Sequence, residues 1–342
     1  MLTEKEYKEI KKELDECSKP LFLFDDDPDG LSAFLLFYRY KGDGKGIIVK
    51  THPKLDTSLL PKVEEYNPDK IFILDVAVVD QEFLDGCNRP VIYVDHHTPQ
   101  DLTKVKVYNP RVKTPDKHLP TANLCYNVVK EDLWIGALGT IADWFYNDLT
   151  EKFSKEYPDL LGEEIKTAPE GIYNSRLGEL IRIFSFILKG NTNDAMKYIK
   201  VLTRIKDPYE VLNQTSAQGK FLYKRFQKID RKYQELIKYG KKAVGKDRIV
   251  IYTYDTDKMS FSADLSNEMI YRFPDKIIFV GRKKEGFVKG SIRSGTKFNI
   301  NPVLKSALVG VEGYGGGHDQ ACGFCVKEED FNRFIANFKR EC

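Results

Sequence analysis

Val91-Ile92-Tyr93-Val94-Asp95-His96-His97 places a carboxylate and two imidazoles at the end of a strand-like run. In open α/β sheets the carboxyl ends of strands are where ligand sites form. Three polar residues are a weak signal alone. Three further acidic stations strengthen it, because each also follows an apolar run. They are Asp25-Asp26-Asp27-Pro28-Asp29-Gly30 after Leu21–Phe24, Asp75 after Ile71–Leu74, and Asp143 at the end of Gly136-Ala137-Leu138-Gly139-Thr140-Ile141-Ala142.

Outward from these stations, the first half alternates short apolar runs with helical stretches. Leu21–Phe24, Ile47–Lys50, Ile71–Leu74 and Val91–Val94 read as strands, and 31–40 as a helix. This rhythm predicts an α/β fold with a mostly parallel sheet. Helices are expected over Pro120–Lys130 and Leu133–Leu149, and helix-like sequence continues to about 215. One long polar helix follows over 216–246. A new sheet signal then begins at Arg248–Tyr254, with a helix at Ser262–Tyr271 and strands at Ile277–Gly281 and Gly286–Arg293. Asn301–Leu308 reads as a short helix, glycine-rich 313–317 precedes a last strand at Ala321–Val326, and a helix over Glu328–Arg340 closes the chain. At 342 residues the chain is long for one core. The expectation is two domains, 1–215 and a smaller mixed-sheet α/β domain over 247–342, joined by the helix 216–246.

Composition bounds the class. A formal charge of +3 is too small to mark a nucleic-acid binder, so any such footprint must come from local clustering. Cys17, Cys87, Cys125, Cys322, Cys325 and Cys342 are scattered rather than framework-like, which fits a reducing compartment. Thr3 and Glu6 have capping-box spacing for a first charged helix, unlike a signal peptide. With no apolar run near membrane-span length, the protein is read as cytoplasmic and without a membrane.

The acidic stations carry a chemical argument of their own. A pair of divalent ions needs several carboxylates, at least one able to bridge, to offset the repulsion between cations. Oxygen-rich donors with an occasional imidazole suit manganese or magnesium better than zinc. Two such ions generate hydroxide from water and clamp the attacking and leaving oxygens of a phosphoryl displacement. Taken singly, each residue has a plain structural reading: Asp27 and Asp29 as helix caps, Asp75 as a turn residue, Asp143 as a cap, and Asp95-His96-His97 as a polar turn. Their joint occurrence, in this order, argues otherwise.

Together these motifs resemble the DHH phosphoesterase superfamily. The C-terminal half resembles the DHH-associated domain of the RecJ and oligoribonuclease branch through Ser291-Ile292-Arg293-Ser294 and Gly313-Tyr314-Gly315-Gly316-Gly317-His318. The resemblance implies a metal-binding domain over 1–215 and a substrate-binding domain over 247–342. It implies metal ligation by Asp25, Asp27, Asp29, Asp75, His96 and Asp143, with Asp75 bridging two divalent ions, manganese first and magnesium second. His97 would sit against the scissile phosphate, and Asp95 would support His96 or another ligand. Asp26 has no motif position. Arg293, Ser291, Ser294, Gly315, Gly316, Gly317 and His318 would hold substrate; glycines let backbone amides approach a phosphate, and arginine offers a planar donor fork. The first motif lacks an upstream histidine, since the preceding strand is Leu21-Phe22-Leu23-Phe24, which is closer to RecJ-like nucleases.

The expected activity is therefore a metal-dependent exonuclease on single-stranded DNA or RNA that releases mononucleotides. The alternatives are hydrolysis of short oligonucleotides, linear dinucleotides or nucleotide bisphosphates, and a replication or repair scaffold. Single-stranded nucleic acid is the expected partner, and replication or repair proteins are what the resemblance adds; oligomeric state is not legible. The long helix interleaves basic residues with Phe221, Tyr223, Phe226, Tyr233 and Tyr239; most of these aromatics read as packing, with a few lysines left for nucleic acid. Cys322 and Cys325 have C-x-x-C spacing without a second pair and read as small apolar strand residues. His52 and His118 receive no role.

Overall fold

The structure, a computed structural model, describes residues 2–50, 54–255 and 259–342, so His52 lies outside the described residues. The chain divides into two compact units, Met1–Phe226 and Gln227–Cys342.

The first unit begins with α1 (Glu4–Asp15), β1 (Pro20–Asp25), α2 (Pro28–Lys41), β2 (Lys45–Val49), α3 (Leu60–Tyr66) and β3 (Lys70–Leu74). It continues through α4 (Gln81–Gly86), β4 (Val91–Val94), β5 (Lys106–Tyr108), α5 (Thr121–Val129) and α6 (Leu133–Ala142). Then come α7 (Asp148–Glu156), α8 (Ala168–Asn174), α9 (Arg176–Leu188), α10 (Thr192–Leu202) and α11 (Pro208–Leu212). The expected capping box is present at α1, where Thr3 and Glu6 exchange hydrogen bonds.

The five strands form one sheet in the order β2-β1-β3-β4-β5, and every pairing is parallel. Both faces are covered, so the strands are apolar at nearly every position rather than alternating. Leu21 and Leu23 face one layer with Ile71, Ile73, Val91 and Tyr93, closed by Val63 of α3 and Phe83 of α4. Phe22 and Phe24 face the other, where Phe24 stacks on Phe34 of α2 with ring centroids 4.4 Å apart. The chain leaves β1 toward β2 and returns on its other side as β3. That reversal makes the carboxyl ends of β1 and β3 a topological switch point.

One sequence expectation fails here. The pattern predicts one helix over Leu133–Leu149, yet α6 ends at Ala142 and α7 starts at Asp148. The chain closes α6 with a C-terminal motif in which Trp144 N–H donates to Ile141 O (3.0 Å) and Phe145 N–H to Thr140 O (3.1 Å). Trp144 takes the left-handed conformation (φ 60°) that glycine usually supplies. A tryptophan there carries no sequence signal for a stop. The consequence is functional, because Asp143 becomes the C-cap of α6 rather than an interior helical residue.

Gly139 marks where α6 crosses α2 and α5. A Cβ there would stand 2.4 Å from Ala122 Cβ and 2.7 Å from Ser32 Cβ. Gly139→Ala is expected to destabilise the protein by about 1–3 kcal/mol through overpacking, read as a lower melting temperature. An unchanged melting temperature would mean that the three helices separate freely.

Helix α12 (Ala217–Lys242) runs from the first unit into the second. Its aromatics mostly pack: Phe226 and Tyr233 are buried, and the Tyr223 hydroxyl donates to Glu179 at 2.7 Å. Phe221 stacks on Tyr198, and Tyr239 is exposed. Among the described residues no helix is long and apolar enough to cross a membrane.

The second unit contains β6 (Ile249–Asp255), α13 (Ser262–Arg272), β7 (Ile277–Lys284), β8 (Phe287–Ser294), α14 (Ile300–Ala307), β9 (Gly313–His318), β10 (Ala321–Lys327) and α15 (Phe331–Arg340). The sheet order is β6-β7-β8-β10-β9; β6 and β7 are parallel and the other pairs antiparallel. Glu285 (φ 54°) and Gly286 (φ 75°) turn β7 into β8, a two-residue hairpin with both centres left-handed. Ile292, Phe324 and Val326 on one face pack with Leu304 of α14 and Phe334 and Phe338 of α15. The glycine run, read from sequence as preceding the last strand, is itself the edge strand β9. Pairing with β10 satisfies backbone groups that the weak strand propensity of glycine would not have organised alone.

Candidate functional site

Strand register assembles the first part of the site. Phe24 is level with Leu74, Leu74 with Val94, and Val94 with Tyr108. The next residue of each strand therefore falls in one row along the carboxyl edge: Asp25, Asp75, Asp95 and Asn109. Asp75 leaves its strand with φ 63°, a conformation aspartate tolerates better than most residues. Its Oδ1 accepts a hydrogen bond from the Thr121 hydroxyl at 2.9 Å.

The two other acids of the first motif sit on the entry to α2. Asp27 is the N-cap, its Oδ1 accepting from Gly30 N–H at 2.9 Å. Gly30 is required there, since a Cβ would come within 2.8 Å of Asp25 O. Asp29 is 1% exposed, and its two oxygens accept from Thr121 N–H and Ala122 N–H, both at 2.8 Å. Helix α5 has no cap of its own at Pro120, so the Asp29 carboxylate takes that position at its electropositive end. The capping reading of Asp27 and Asp29 thus describes real bonds, and both residues still belong to the acidic cluster. Asp26 stands apart, 3.5 Å from Lys50 Nζ.

Three imidazoles meet these acids. His96 Nε2 lies 3.2 Å from Asp75 Oδ1, 3.7 Å from Asp143 Oδ2 and 3.9 Å from Asp29 Oδ2. His97 is oriented by Asp95, with Nδ1 2.8 Å from Asp95 Oδ1 and its backbone N–H donating to Oδ2 at 2.8 Å. Asn109 Nδ2 donates to Asp95 Oδ2 (3.1 Å) and to His97 O (3.0 Å), holding the pair in place. The partner of Asp95 is therefore His97, not His96. His118, which has no role on sequence grounds, places Nε2 3.0 Å from Asp143 Oδ2 and its ring edge-on to His96. Ligand atoms of Asp75, His96 and His97 lie within 4.8 Å of one another, as do those of His96, His118 and Asp143.

Sequence reading misses Thr121, Asn109 and His118. Asn109 has a signal, because it follows Lys106–Tyr108 as each acid follows its own strand. That strand is only three residues long, which hides it. His118 lies three residues before α5, and only the docking of that helix on Asp29 brings it near.

Electrostatics show what this arrangement demands. Burial pushes Asp25 up to about 8, helped by the charges of Asp27 and Asp26. Burial raises Asp27 to about 6, and Asp143 adds to the shift. Asp29 and Asp75 are driven well above the ordinary carboxylate range, first by burial and then by neighbouring aspartates. His96 moves the other way, to about 4, because burial disfavours its cation. Burial also lowers His97, but its hydrogen bond to Asp95 and that residue's charge outweigh it, and the net shift is upward. The imidazole facing the carboxylates is thus neutral, with a lone pair available, and its neighbour favours the cation. His96 Nδ1 is buried without a hydrogen-bond partner, so the polar contacts of the ring lie on its Nε2 side. A buried cluster of carboxylates that repel one another around a neutral imidazole fits divalent cations.

In the second unit the register sorts the substrate-binding candidates. Arg293 is opposite Ala321 and Ala321 opposite His318; Ser291 is opposite Gly323 and Gly323 opposite Gly316. Residues directly opposite share a face, so Arg293, Ser291, Gly316 and His318 form two adjacent rows. The small Ala321 and Gly323 between them leave the surface low. Arg293 is braced by Asn267 Oδ1, which accepts from its Nε at 2.7 Å. Ser294, Gly315 and Gly317 belong to the opposite, packed face: Ser294 is 5% exposed beside Thr296, and Gly317 O accepts from Asn301 Nδ2 at 2.8 Å. Cys322 and Cys325 fall on opposite faces of β10, and both are free thiols.

Comparison with known proteins gives the site a family. Residues 21–161 match the model of the DHH family N-terminal domain, and residues 246–342 match that of the DHHA1 domain. The chain carries a DHH-family N-terminal domain followed by a DHHA1 domain. This DHH protein falls among phosphoesterases that are expected to hold metal at such acidic sites. A comparison with curated protein sequences finds no match. Among solved structures it is similar to RecJ from Thermus thermophilus in complex with Mn2+, at 19% identity and TM-score 0.71, covering 98% of this chain and 54% of that one. It is also similar to an exonuclease RecJ bound to manganese, at 18% identity and TM-score 0.66, covering 99% and 95%. A third is the DHH domain of a protein described as a member of a family of ribosomal proteins, at 14% identity and TM-score 0.67, covering 98% and 89%. At these identities the likeness is one of fold. The DHH protein spans only about half the length of the Thermus RecJ.

Proposed function

We propose that this chain is a metal-dependent phosphodiesterase, a RecJ-like exonuclease that acts on single-stranded DNA or RNA and releases mononucleotides. The observation that carries the reading is the convergence of Asp25, Asp27, Asp29, Asp75 and Asp143 with His96 and His97 into one cluster at the switch point. In our assignment Asp25, Asp27, Asp75, His96 and Asp143 hold two divalent ions, manganese or magnesium by the hardness of the donors. Asp29 contributes from the same cluster while seating α5. Bound there, the ions supply Lewis acidity, lowering the pKa of water and offsetting charge on phosphoryl oxygens.

The chain's own residues do the rest. Asp95 and Asn109 hold His97 in place, and its pKa, raised by the hydrogen bond and charge of Asp95, favours a proton that can be offered to a phosphoryl oxygen that gains charge. Thr121 steadies Asp75 through its hydroxyl. In the C-terminal domain Arg293, Ser291 and His318 present donors to a phosphate along the face of the sheet turned away from α14 and α15.

The test is a manganese-supplemented digestion of end-labelled single-stranded DNA and RNA of several lengths. Mononucleotides released from long strands support the exonuclease. Cleavage confined to the shortest oligomers moves the assignment to a short-oligonucleotide phosphodiesterase, and no metal-dependent hydrolysis of any phosphodiester overturns both. His118 gives a further expectation within this reading. As a ligand neighbour of Asp143, its loss in His118→Ala should weaken manganese binding by roughly 10–100-fold, measured by titration calorimetry. Unchanged affinity would leave His118 outside the metal site.

A further inference from the structure

Beyond the two rows already described, the face of the C-terminal sheet turned away from α14 and α15 has a third. Arg282 is opposite Lys289, Lys289 opposite Cys325, and Cys325 opposite Tyr314. Direct opposition puts all four on the face that carries Arg293 and His318, four residues farther along β8. Two cations side by side across a strand pair repel each other. The acids at this end of the hairpin are engaged elsewhere, Glu328 with Lys283 and Glu285 with Lys284. Arg282 Nε is buried with no hydrogen-bond partner. At the far end of the row Tyr314 is 67% exposed, an aromatic on an edge strand made otherwise of glycine and histidine.

We propose that Arg282 and Lys289 form a second phosphate station and that Tyr314 is the stacking platform beside it, together holding an internal nucleotide of a single strand. An anion between the two cations removes their repulsion. An exposed aromatic ring stacks on a base whatever its sequence. Four residues of strand separate this row from Arg293 by about 13 Å. A chain stacked at the duplex rise of about 3.4 Å covers that in about four nucleotides, and a stretched one in roughly half as many. Even two fully stretched steps need three consecutive phosphates, so substrates of one or two nucleotides gripped at Arg293 fall short of the second station, while longer strands reach it.

This inference rests on the nucleic-acid reading above, and its test separates the two. Fluorescence anisotropy in EDTA measures binding of oligothymidylates of two and twelve residues to the full chain, without turnover. In the double variant Arg282→Gln/Lys289→Gln, twelve-residue affinity should fall about tenfold or more and the salt slope should shrink by roughly 0.7, the contribution of the one phosphate that the pair holds. Affinity for the dinucleotide should not change. Tyr314→Ala should weaken the longer ligand by roughly 5- to 150-fold, with Tyr314→Phe restoring it. Lys305→Gln, on the helix that covers the other face, controls for charge alone and should have no effect. Folded variants that bind the twelve-residue strand like wild type, or that lose both ligands equally, overturn the second station. A wild-type chain that binds neither oligonucleotide overturns the nucleic-acid reading itself.

Discussion

Asp75→Asn is expected to reduce metal-dependent hydrolysis by at least about 10²–10³-fold, the scale on which removal of one preorganised charge-stabilising group acts, and at the same time to raise the melting temperature of the metal-free protein. The two effects share a cause. Asp75 is 1% exposed and sits among Asp29, Asp27, Asp143 and Asp25, whose charges add to burial in driving its pKa up. Without metal, its ionised form is a liability of the folded state; with metal, that same charge is the ligand. The asparagine oxygen still accepts from the Thr121 hydroxyl, so the local bonding survives. Calorimetric melting at about pH 8 with chelator, alongside a manganese-dependent hydrolysis assay, reads both. A variant with full activity sinks the metal assignment, and one with a lower metal-free melting temperature sinks the electrostatic account.

Manganese should stabilise the protein strongly and increasingly as pH rises. The buried aspartates have folded-state pKa values raised above the unfolded value of about 4, so the folded chain binds more protons than the unfolded chain over that interval. Stability of the metal-free protein must then fall as pH rises from about 4, through about 6 for Asp27 and about 8 for Asp25. His96, lowered to about 4, contributes in the opposite sense between that value and its unfolded value of about 6.5. His97 is raised, so it adds to the fall above its unfolded value of about 6.5. The carboxylates therefore set the net direction. At a thousandfold excess over its Kd, an ion that binds only the folded state adds about 4 kcal/mol. In a unit of this size that is roughly 8–16 °C. Melting curves at about pH 5 and pH 8, with and without manganese, should show the larger shift at the higher pH. Equal shifts at both values would mean that the ion does not compete with protons on these aspartates.

How much of this is legible in the sequence differs by residue. Asp25, Asp75 and Asp95 announce themselves because each ends a parallel strand, and in a parallel sheet with both faces covered such strands are apolar until the carboxyl edge. A run that stops at an acid is therefore already a statement about position. Asp143 has the right sequence context but the wrong expected local structure, since a helix stop built on Trp144 leaves no glycine to notice. Asp27 and Asp29 read equally as caps or as ligands, and the structure shows the capping bonds inside the acidic cluster. His118 is invisible, because its proximity to Asp143 depends on α5 docking its first turn on the Asp29 carboxylate. In the second unit, Arg293, Ser291 and His318 are readable as a motif, but their separation from Ser294, Gly315 and Gly317 is not. That sorting depends on cross-strand register, which shifts every side chain to the other face when it slips by one residue.

The amino-acid sequence by itself determined the α/β class, the order of the two domains and the identity of the acidic stations. Those properties follow from hydrophobic period and from residues that interrupt it, which are local. Only the tertiary structure decided that Asp95 serves His97, that His118 joins Asp143, and that Arg282, Lys289 and Tyr314 share one face with Arg293. Each of these is a meeting of residues distant in the chain, set by strand register and helix docking, and no local pattern encodes it.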